Sequence, residues 1–574
     1  YTLAAQIGHT TKDRKFSINF SSKLAYMYVD VLSRSPVTLV VPHAPPMFDK
    51  NGNPNWSEWN ADGLLNIYPF GRDLKPANPQ KTTALTNSLM LDYKPFKGFT
   101  LSLLTGYNFS HNNTKDFLTI AARSPYISNV TGEASFSTTT NTSVLVNPQA
   151  TYQTRLGRGN LELSLVGTSQ FTETSVTSQY GYGYTNDILL GSIKNAGGVM
   201  VADAFKQLRN ASFIGHVNYN YDNRYIINLN GTRQGSSKFG PANKYGSFGS
   251  AAFAWIASEE NWLKPVLPKA INFLKFNASY GMDGSDGIDE YQYLELWTIQ
   301  NMASGGGYNG QMVLIPSIRP NQKYKWENNR KFNSSLVMGL FKDRVNLNLT
   351  YYQNRVSNQL TAYPTPSYVN GSDINAIITN IPMLLENRGW EGSIDVKLVS
   401  TQDFSLAAMF NFSRNRNRLL SFPGIDQTPY AGQYAIGKSI NMASLLHYKG
   451  VDPLTGAPAF EDYNKDGKIT WNGLVAPPPG SDDRAIVYDL QPGINGGFGL
   501  QGNFKKLSFS LFFVYKKQKG YSLYTSVSSP GIFNQNMPPA ILDGHWQQPG
   551  DIASYPAFST VISNPYFGLM AVSD

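Results

Sequence analysis

Residues able to do chemistry are few, and the most suggestive lie in one nonapeptide. Asp462-Tyr463-Asn464-Lys465-Asp466-Gly467-Lys468-Ile469-Thr470 puts side-chain oxygens at its first, third and fifth places, glycine at the sixth and an aliphatic residue at the eighth. Hard oxygen donors at that spacing open an EF-hand-type Ca2+ loop, in which Lys468 would contribute its backbone carbonyl and Thr470 would take the ninth place. The twelfth place, which should hold a bidentate carboxylate, is Gly473, so Asp482 or Asp483 would have to fold back in its stead. Two readings stand: a calcium site at Asp462, Asn464, Asp466, Lys468 and Thr470, or a turn-rich loop closed by its own Asx hydrogen bonds.

Other motifs match in letters only. Gly432-Gln433-Tyr434-Ala435-Ile436-Gly437-Lys438-Ser439 spells a phosphate-binding loop. That chemistry needs a buried strand before the loop and a helix after it, whereas Pro423 and Pro429 stand upstream with no apolar run. Gly497-Phe498-Gly499-Leu500-Gln501-Gly502 spells a dinucleotide fingerprint but lies inside an alternating strand pattern, where glycines let backbones approach. The six histidines, His9, His43, His111, His216, His447 and His545, show no metal-ligand spacing, and His216 reads as structural. No nucleophile elbow or acid–base carboxylate pair is found, so the chain is read as a non-enzyme that requires no cofactor. Tyr180, Tyr182 and Tyr184, then Tyr291, Tyr293 and Trp297, suit stacking on sugar rings or peptide side chains and equally suit packing loop against loop.

The elements that would carry these residues are strands. Among 574 residues there are 50 Gly, 33 Pro and no Cys; 13% are aromatic and 15% charged. Absence of cysteine excludes disulfides, thiolate nucleophiles and thiolate-bound metals. The net charge of +9 is spread thinly, without the basic runs that nucleic-acid tails carry, so no nucleic-acid partner is expected. No segment is apolar for long enough to be a spanning helix, and Tyr1 opens no signal peptide, so the chain reads as a piece of a longer protein.

Period-two alternation dominates. Phe99, Leu101, Leu103, Tyr107 and Phe109 share one face, after the turn Lys94–Gly98 and a strand ending at Tyr93. Similar pairs turn at Gly157–Asn160, Asp222-Asn223, Lys342-Asp343, Thr401-Gln402 and Lys505-Lys506. Residues 248–255 and 274–280 form a looser pair, and 16–28 stands alone. Between the hairpins lie long polar stretches, 111–141, 172–210, 281–325, 353–387, 420–493 and 516–574. Short turns at one end, long loops at the other and aromatic strand ends fit an outer-membrane barrel better than a soluble β-sandwich. In lipid, every backbone N–H and C=O must be paired internally, so a sheet spans only if it closes on itself.

Against that frame, a set of collinear words resembles the SusC/RagA-type TonB-dependent outer-membrane transporters. They are Gly235-Ser236-Ser237-Lys238-Phe239-Gly240, Asn243–Phe248, Trp255–Glu259, Leu274–Gly281, Trp326-Glu327, Asn387–Glu391, Asn411–Asn415, Gly450–Gly456 running into the acidic nonapeptide, and Trp546–Gly550. They cover roughly residues 220 to 560. The resemblance implies an all-β, large antiparallel transmembrane β-barrel of 22 strands, of which residues 1–574 would be the wall with long extracellular loops. The N-terminal plug and the last strands would lie outside this chain. It also places the Gly437-Lys438 and Gly497 stretches in barrel segments.

Implied function is TonB-dependent import of oligosaccharides or peptides across the outer membrane of a Gram-negative-type bacterium. A SusD-like surface lipoprotein, the TonB complex acting through the plug, and outer-membrane lipid and lipopolysaccharide are the implied partners. The alternative is a SusC-like barrel serving as a structural subunit of a larger outer-membrane assembly or secretion complex. Two departures stand out. Gln234 occupies the place where the family usually has Asp, and Gly281-Met282-Asp283-Gly284-Ser285-Asp286 replaces an Asn-containing form.

Overall fold

The computed structural model describes residues 1–31, 45–59, 78–300, 313–318, 320–364, 376–431, 433–470, 483, 484, 486–520 and 538–558. Sixteen strands form one antiparallel sheet in chain order. They are β1 (Thr2–Thr10), β2 (Phe16–Val31), β3 (Asn78–Tyr93), β4 (Phe99–Leu118), β5 (Gly132–Leu156), β6 (Gly159–Tyr184), β7 (Gly198–Tyr221), β8 (Tyr225–Ser236), β9 (Tyr245–Ile256), β10 (Ile271–Ser285), β13 (Glu327–Leu340), β14 (Val345–Pro364), β15 (Ala376–Ser400), β16 (Phe404–Ser421), β21 (Ile494–Phe504) and β22 (Leu507–Lys517). Six shorter strands pair two by two: β11 (Leu296–Gln300) with β12 (Val313–Ile318), β17 (Met442–Leu445) with β20 (Ile486–Asp489), and β18 (Tyr448–Val451) with β19 (Pro458–Phe460).

Tight turns at one end fix the register. Asp222 and Asn223 both have positive φ, 55° and 54°, the twist that a two-residue hairpin turn needs to match its flanking strands. Gly157 sits at φ 59° between β5 and β6, where a Cβ would be strained. No helix among the described residues is long and apolar enough to cross a membrane, which says nothing of strands.

Strand length corrects part of the sequence reading. A crossing takes roughly 9–11 residues, yet β5 and β6 run for 25 and 26. Much of 111–141 and 172–210, expected as loop, is therefore strand extended past the apolar band. Its rungs are hydroxyl and amide contacts, such as Thr138 Oγ1 to Asn113 Oδ1 at 2.7 Å and Thr174 Oγ1 to Asn141 Oδ1 at 2.7 Å. Neither face there needs hydrocarbon, so the alternation fades while the ladder continues. Residues 16–28 do not stand alone either: β2 pairs with β1 on one side and β3 on the other.

The described residues fall into two compact units, each with its own small cores. One comprises Tyr1–Gln149, Gly167–Asn210 and the described part of Val527–Asp543; Ala134, fully buried Tyr184 and Leu190 form a core in it. The other comprises Ala150–Val166, Ala211–Ser526 and the described part of Gly544–Asp574. Its cores gather around Ile381, Leu419 and Tyr430, around Phe239, Tyr324 and Trp326, and around Leu445 and Leu446.

Candidate functional site

The two faces of the strands differ in kind. Register puts Leu336, Leu349, Gly392 and Phe412 in one row and Met338, Leu347, Ile394 and Phe410 in the next, an apolar face. The alternate positions carry Asn333, Asn348, Thr350, Ser393, Asn411 and Ser413. That polar face is cross-linked by short contacts: His216 Nδ1 to Asn230 Oδ1 at 2.7 Å, Asn218 Nδ2 to Asn228 Oδ1 at 2.6 Å, Asn277 Nδ2 to Ser335 Oγ at 3.0 Å and Tyr352 OH to Asn415 Oδ1 at 2.9 Å. His216 is thus a rung of the ladder, the structural part the sequence suggested for it.

On the polar face of β8, β9, β10 and β13 lies a recess of ≈ 410 Å³. Asn230, Thr232, Gln234, Ser250, Ser279 and Asn333 line it, with Lys331 and Asp283 paired at 2.8 Å. Gly281 keeps it open: a Cβ there would stand 2.7 Å from the Ser250 Cβ. Amides and hydroxyls that both donate and accept suit peptide backbones and sugar hydroxyls alike. Gln234 and Gly281–Gly284, where the resemblance leads one to expect other residues, line this one recess. No spacing in the sequence announced that meeting, because β8 and β10 are neighbours only through β9.

Above the recess, the signature words pack against one another. Ser236 Oγ donates to Asp286 Oδ2 at 2.8 Å, and Trp326 Nε1 donates to Asn243 O at 3.1 Å. The Phe239 and Trp326 rings sit 4.9 Å apart, and Tyr293 packs on the same cluster. Burial pushes the Tyr324 hydroxyl up to about 12. The aromatic candidates therefore divide: Tyr184 and Tyr293 pack loops, whereas Tyr182 and Trp297 are exposed. Elsewhere, Trp546 Nε1 donates to Pro453 O at 2.9 Å, and a Cβ on Gly456, at φ 69°, would meet the Trp546 ring at 2.4 Å. Two distant words of the resemblance are thus one contact.

The acidic nonapeptide is a closed turn. Asp462 accepts from the Asp466 and Gly467 N–H groups at 3.2 and 2.8 Å, Asn464 Oδ1 from Asp466 N–H at 3.0 Å, and Asp466 Oδ1 from Lys468 N–H at 2.8 Å. Asp483 does fold back. Fully buried, it accepts from the N–H groups of Tyr463, Asn464 and Thr470 at 2.8, 3.2 and 2.7 Å and from the Thr470 hydroxyl at 3.2 Å. Burial opposes its charge, but these donors outweigh it and hold the carboxyl below its usual range. Ile469 packs into the Leu445–Leu446 core. Among the described residues no group of three or more His, Asp or Glu side chains that could hold a metal ion is found. Gly473 and Asp482 lie outside the described residues.

The letter-only motifs resolve physically. No helix follows Gly437-Lys438: the Gly437 N–H donates to Leu419 O at 2.7 Å and Leu419 N–H to Lys438 O at 2.8 Å, so the stretch is a turn tied to the end of β16 and not a barrel strand. Gly497–Gly502 lies within β21, where a Cβ on Gly499 would stand 2.7 Å from Met409 Cγ.

A family model described as TonB dependent receptor-like, beta-barrel, matches residues 47–490. TonB-dependent receptor P3 of Formosa agariphila is 28% identical over 502 residues, 80% of this chain and 48% of that protein. TonB-dependent receptor SusC of Bacteroides thetaiotaomicron is 27% identical over 353 residues, 57% of this chain and 33% of that protein. The chain spans about half the length, or less, of the curated relatives it matches. A solved structure of the RagAB peptide transporter matches with TM-score 0.79 at 20% identity, over 97% of this chain and 62% of that one, a likeness of fold.

Proposed function

Because the chain belongs to the TonB-dependent receptor-like β-barrel family, we propose that it forms the wall of an importer for oligomeric nutrients, peptides or oligosaccharides, in the outer membrane of a Gram-negative-type bacterium. Receptors and transporters, not enzymes, make up that family. In this reading the tight turns face the periplasm and the long hairpins face outward. TonB energises transport through a plug domain, and a SusD-like lipoprotein closes over the outer hairpins. SusC and the RagAB peptide transporter are the relatives that favour this arrangement.

The observation that carries the reading is the recess on the polar face of β8–β10 and β13, with amides and hydroxyls spaced to hold a polar oligomer by many weak contacts and no nucleophile beside a base. Binding of that kind releases its cargo when the path opens, which covalent chemistry would prevent. Growth on defined peptides and oligosaccharides, with and without the gene and with and without TonB, tests it. Loss of growth on one nutrient class in both deletions is the expected result; unchanged growth on every class overturns it. A stable set of partners beyond one lipoprotein, together with unchanged uptake, would point to the structural-subunit alternative.

A further inference from the structure

Above the apolar band, the outward face of β13–β16 changes from hydrocarbon to guanidinium within two rows. The row Ser334, Tyr351, Trp390, Arg414 is followed by Phe332, Gln353, Arg388, Arg416 and then by Arg330, Arg355, Glu386, Arg418. All of these share parity with Leu336, Leu349 and Phe412 below them, so they face away from the polar interior. Six arginines meet one carboxylate across these rows. Buried Glu386 accepts from Arg355 Nε at 2.9 Å and from Gln353 Nε2 at 2.8 Å, and lies 3.6 Å from Arg388 Nε. Arg414 and Arg416 are exposed and have no carboxylate partner among the described residues. With Arg388, Tyr351, Trp390 and the Gly389 backbone they line a cleft of ≈ 360 Å³.

Position identifies what fills it. Ten residues separate Phe404, at the tight-turn end of β16, from Arg414. That is about 33 Å of strand, or about 25 Å of height at the usual tilt, the height of the apolar band of such barrels. Tyr351 and Trp390, with ring centroids 5.1 Å apart, stand where an aromatic girdle belongs. The arginines therefore lie level with headgroups on the long-hairpin side. Guanidinium forks match phosphate oxygens in pairs, and several around one cleft suit a phosphate better than a diffuse anionic surface.

We propose that Arg388, Arg414 and Arg416, flanked by Tyr351 and Trp390, form a binding site for a phosphorylated lipid headgroup of the outer leaflet, the phosphates of lipopolysaccharide lipid A. Glu386 positions Arg388 at its edge. The inference rests on the outer-membrane reading above.

The test is lipid retention by the full chain purified in a maltoside detergent. Bisphosphorylated lipid A, its dephosphorylated form and inorganic phosphate are each titrated while binding is followed by native mass spectrometry. Bisphosphorylated lipid A is expected to bind at least tenfold tighter than the dephosphorylated form, with inorganic phosphate failing to displace it at millimolar concentration. The double variant R414Q/R416Q should lose about tenfold in affinity, with R414K/R416K recovering part of it. Equal binding of both lipids overturns the site, as does an unaffected double variant. Displacement by inorganic phosphate alone overturns the lipid as its ligand. Comparison of the two lipids uses the unaltered chain and holds even if a variant fails to fold. Fractionation of the same cells separates the two readings: a chain outside the outer membrane sinks the transport reading, whereas an outer-membrane chain indifferent to lipid phosphate sinks only this one.

Discussion

On β14, Val345, Leu347, Leu349 and Tyr351 look one way and Asn346, Asn348, Thr350 and Tyr352 the other. The same ladder of backbone hydrogen bonds supports both sets, so what separates them is only the solvent each must meet. An apolar set facing hydrocarbon tolerates changes of shape but not of charge. Its polar partner meets its amides and hydroxyls with cross-strand contacts, as Tyr352 does with Asn415 and Asn277 with Ser335. One strand therefore serves two media, and the boundary between them is a single residue wide.

Introducing charge breaks this comparison most directly. Leu349→Arg places a guanidinium near mid-band and is expected to cost about 2–4 kcal/mol of folding free energy. Asn348→Arg, one residue away, should cost under about 1 kcal/mol. Denaturant unfolding in lipid vesicles, followed by heat-modifiable gel mobility, reads the pair. Equal costs would mean that both faces meet the same medium.

Asp483→Ala comes next, and its effect is confined to the acidic turn. It strands three backbone N–H groups beneath the turn, each worth about 1–3 kcal/mol when buried unpartnered. Amide exchange across residues 462–470 should quicken at least tenfold while the barrel melts unchanged. The pH sign follows from its lowered pKa. The ionised form is favoured in the folded turn, so the Asp483 contribution is complete above the ordinary value of 3.8 and is lost as pH falls through the lower, folded value. Exchange relative to the intrinsic rate should therefore rise on acidification below about pH 4. No acid sensitivity would show that the carboxylate is not the brace.

Smaller effects belong to the recess. Lys331→Ala should leave stability within about 0.5 kcal/mol, because its pair with Asp283 is half exposed, yet weaken nutrient binding a few-fold. Gln234→Asp puts a further carboxylate on the lining of the recess and should alter which oligomers are taken up more than how much protein is made. Uptake assays with a peptide and an oligosaccharide panel decide both; unchanged preference in each would move the substrate site elsewhere. Smallest is the effect of calcium removal. N–H donors to Asp462, Asn464 and Asp466, together with the Asp483 brace, already close the turn, so chelation is expected to leave exchange in it unchanged. A marked loosening would instead establish the calcium site.

What the sequence made legible follows the same boundary. Turns at Asp222-Asn223, Lys342-Asp343 and Lys505-Lys506 were readable because hydrocarbon forces strict alternation on either side of them. Beyond the band that force ends, and β5 and β6 carry on through Thr and Ser in stretches that read as loop. The fold-back of a carboxylate was anticipated, but not that Asp483 would brace backbone amides. The arginine rows were visible in Arg414-Asn415-Arg416-Asn417-Arg418, yet only register against β15 shows them gathered above Trp390.

Single cysteines give the most direct measurement, since these 574 residues contain none. Cysteine placed in turn at positions 345 to 350 and probed with a lipid-soluble and a membrane-impermeant maleimide in intact outer membranes should show a two-residue period. Val345, Leu347 and Leu349 should react with the first reagent alone, and Asn346, Asn348 and Thr350 with the second. Uniform labelling, or impermeant labelling of the leucines, would contradict a wall with hydrocarbon on one side and water on the other.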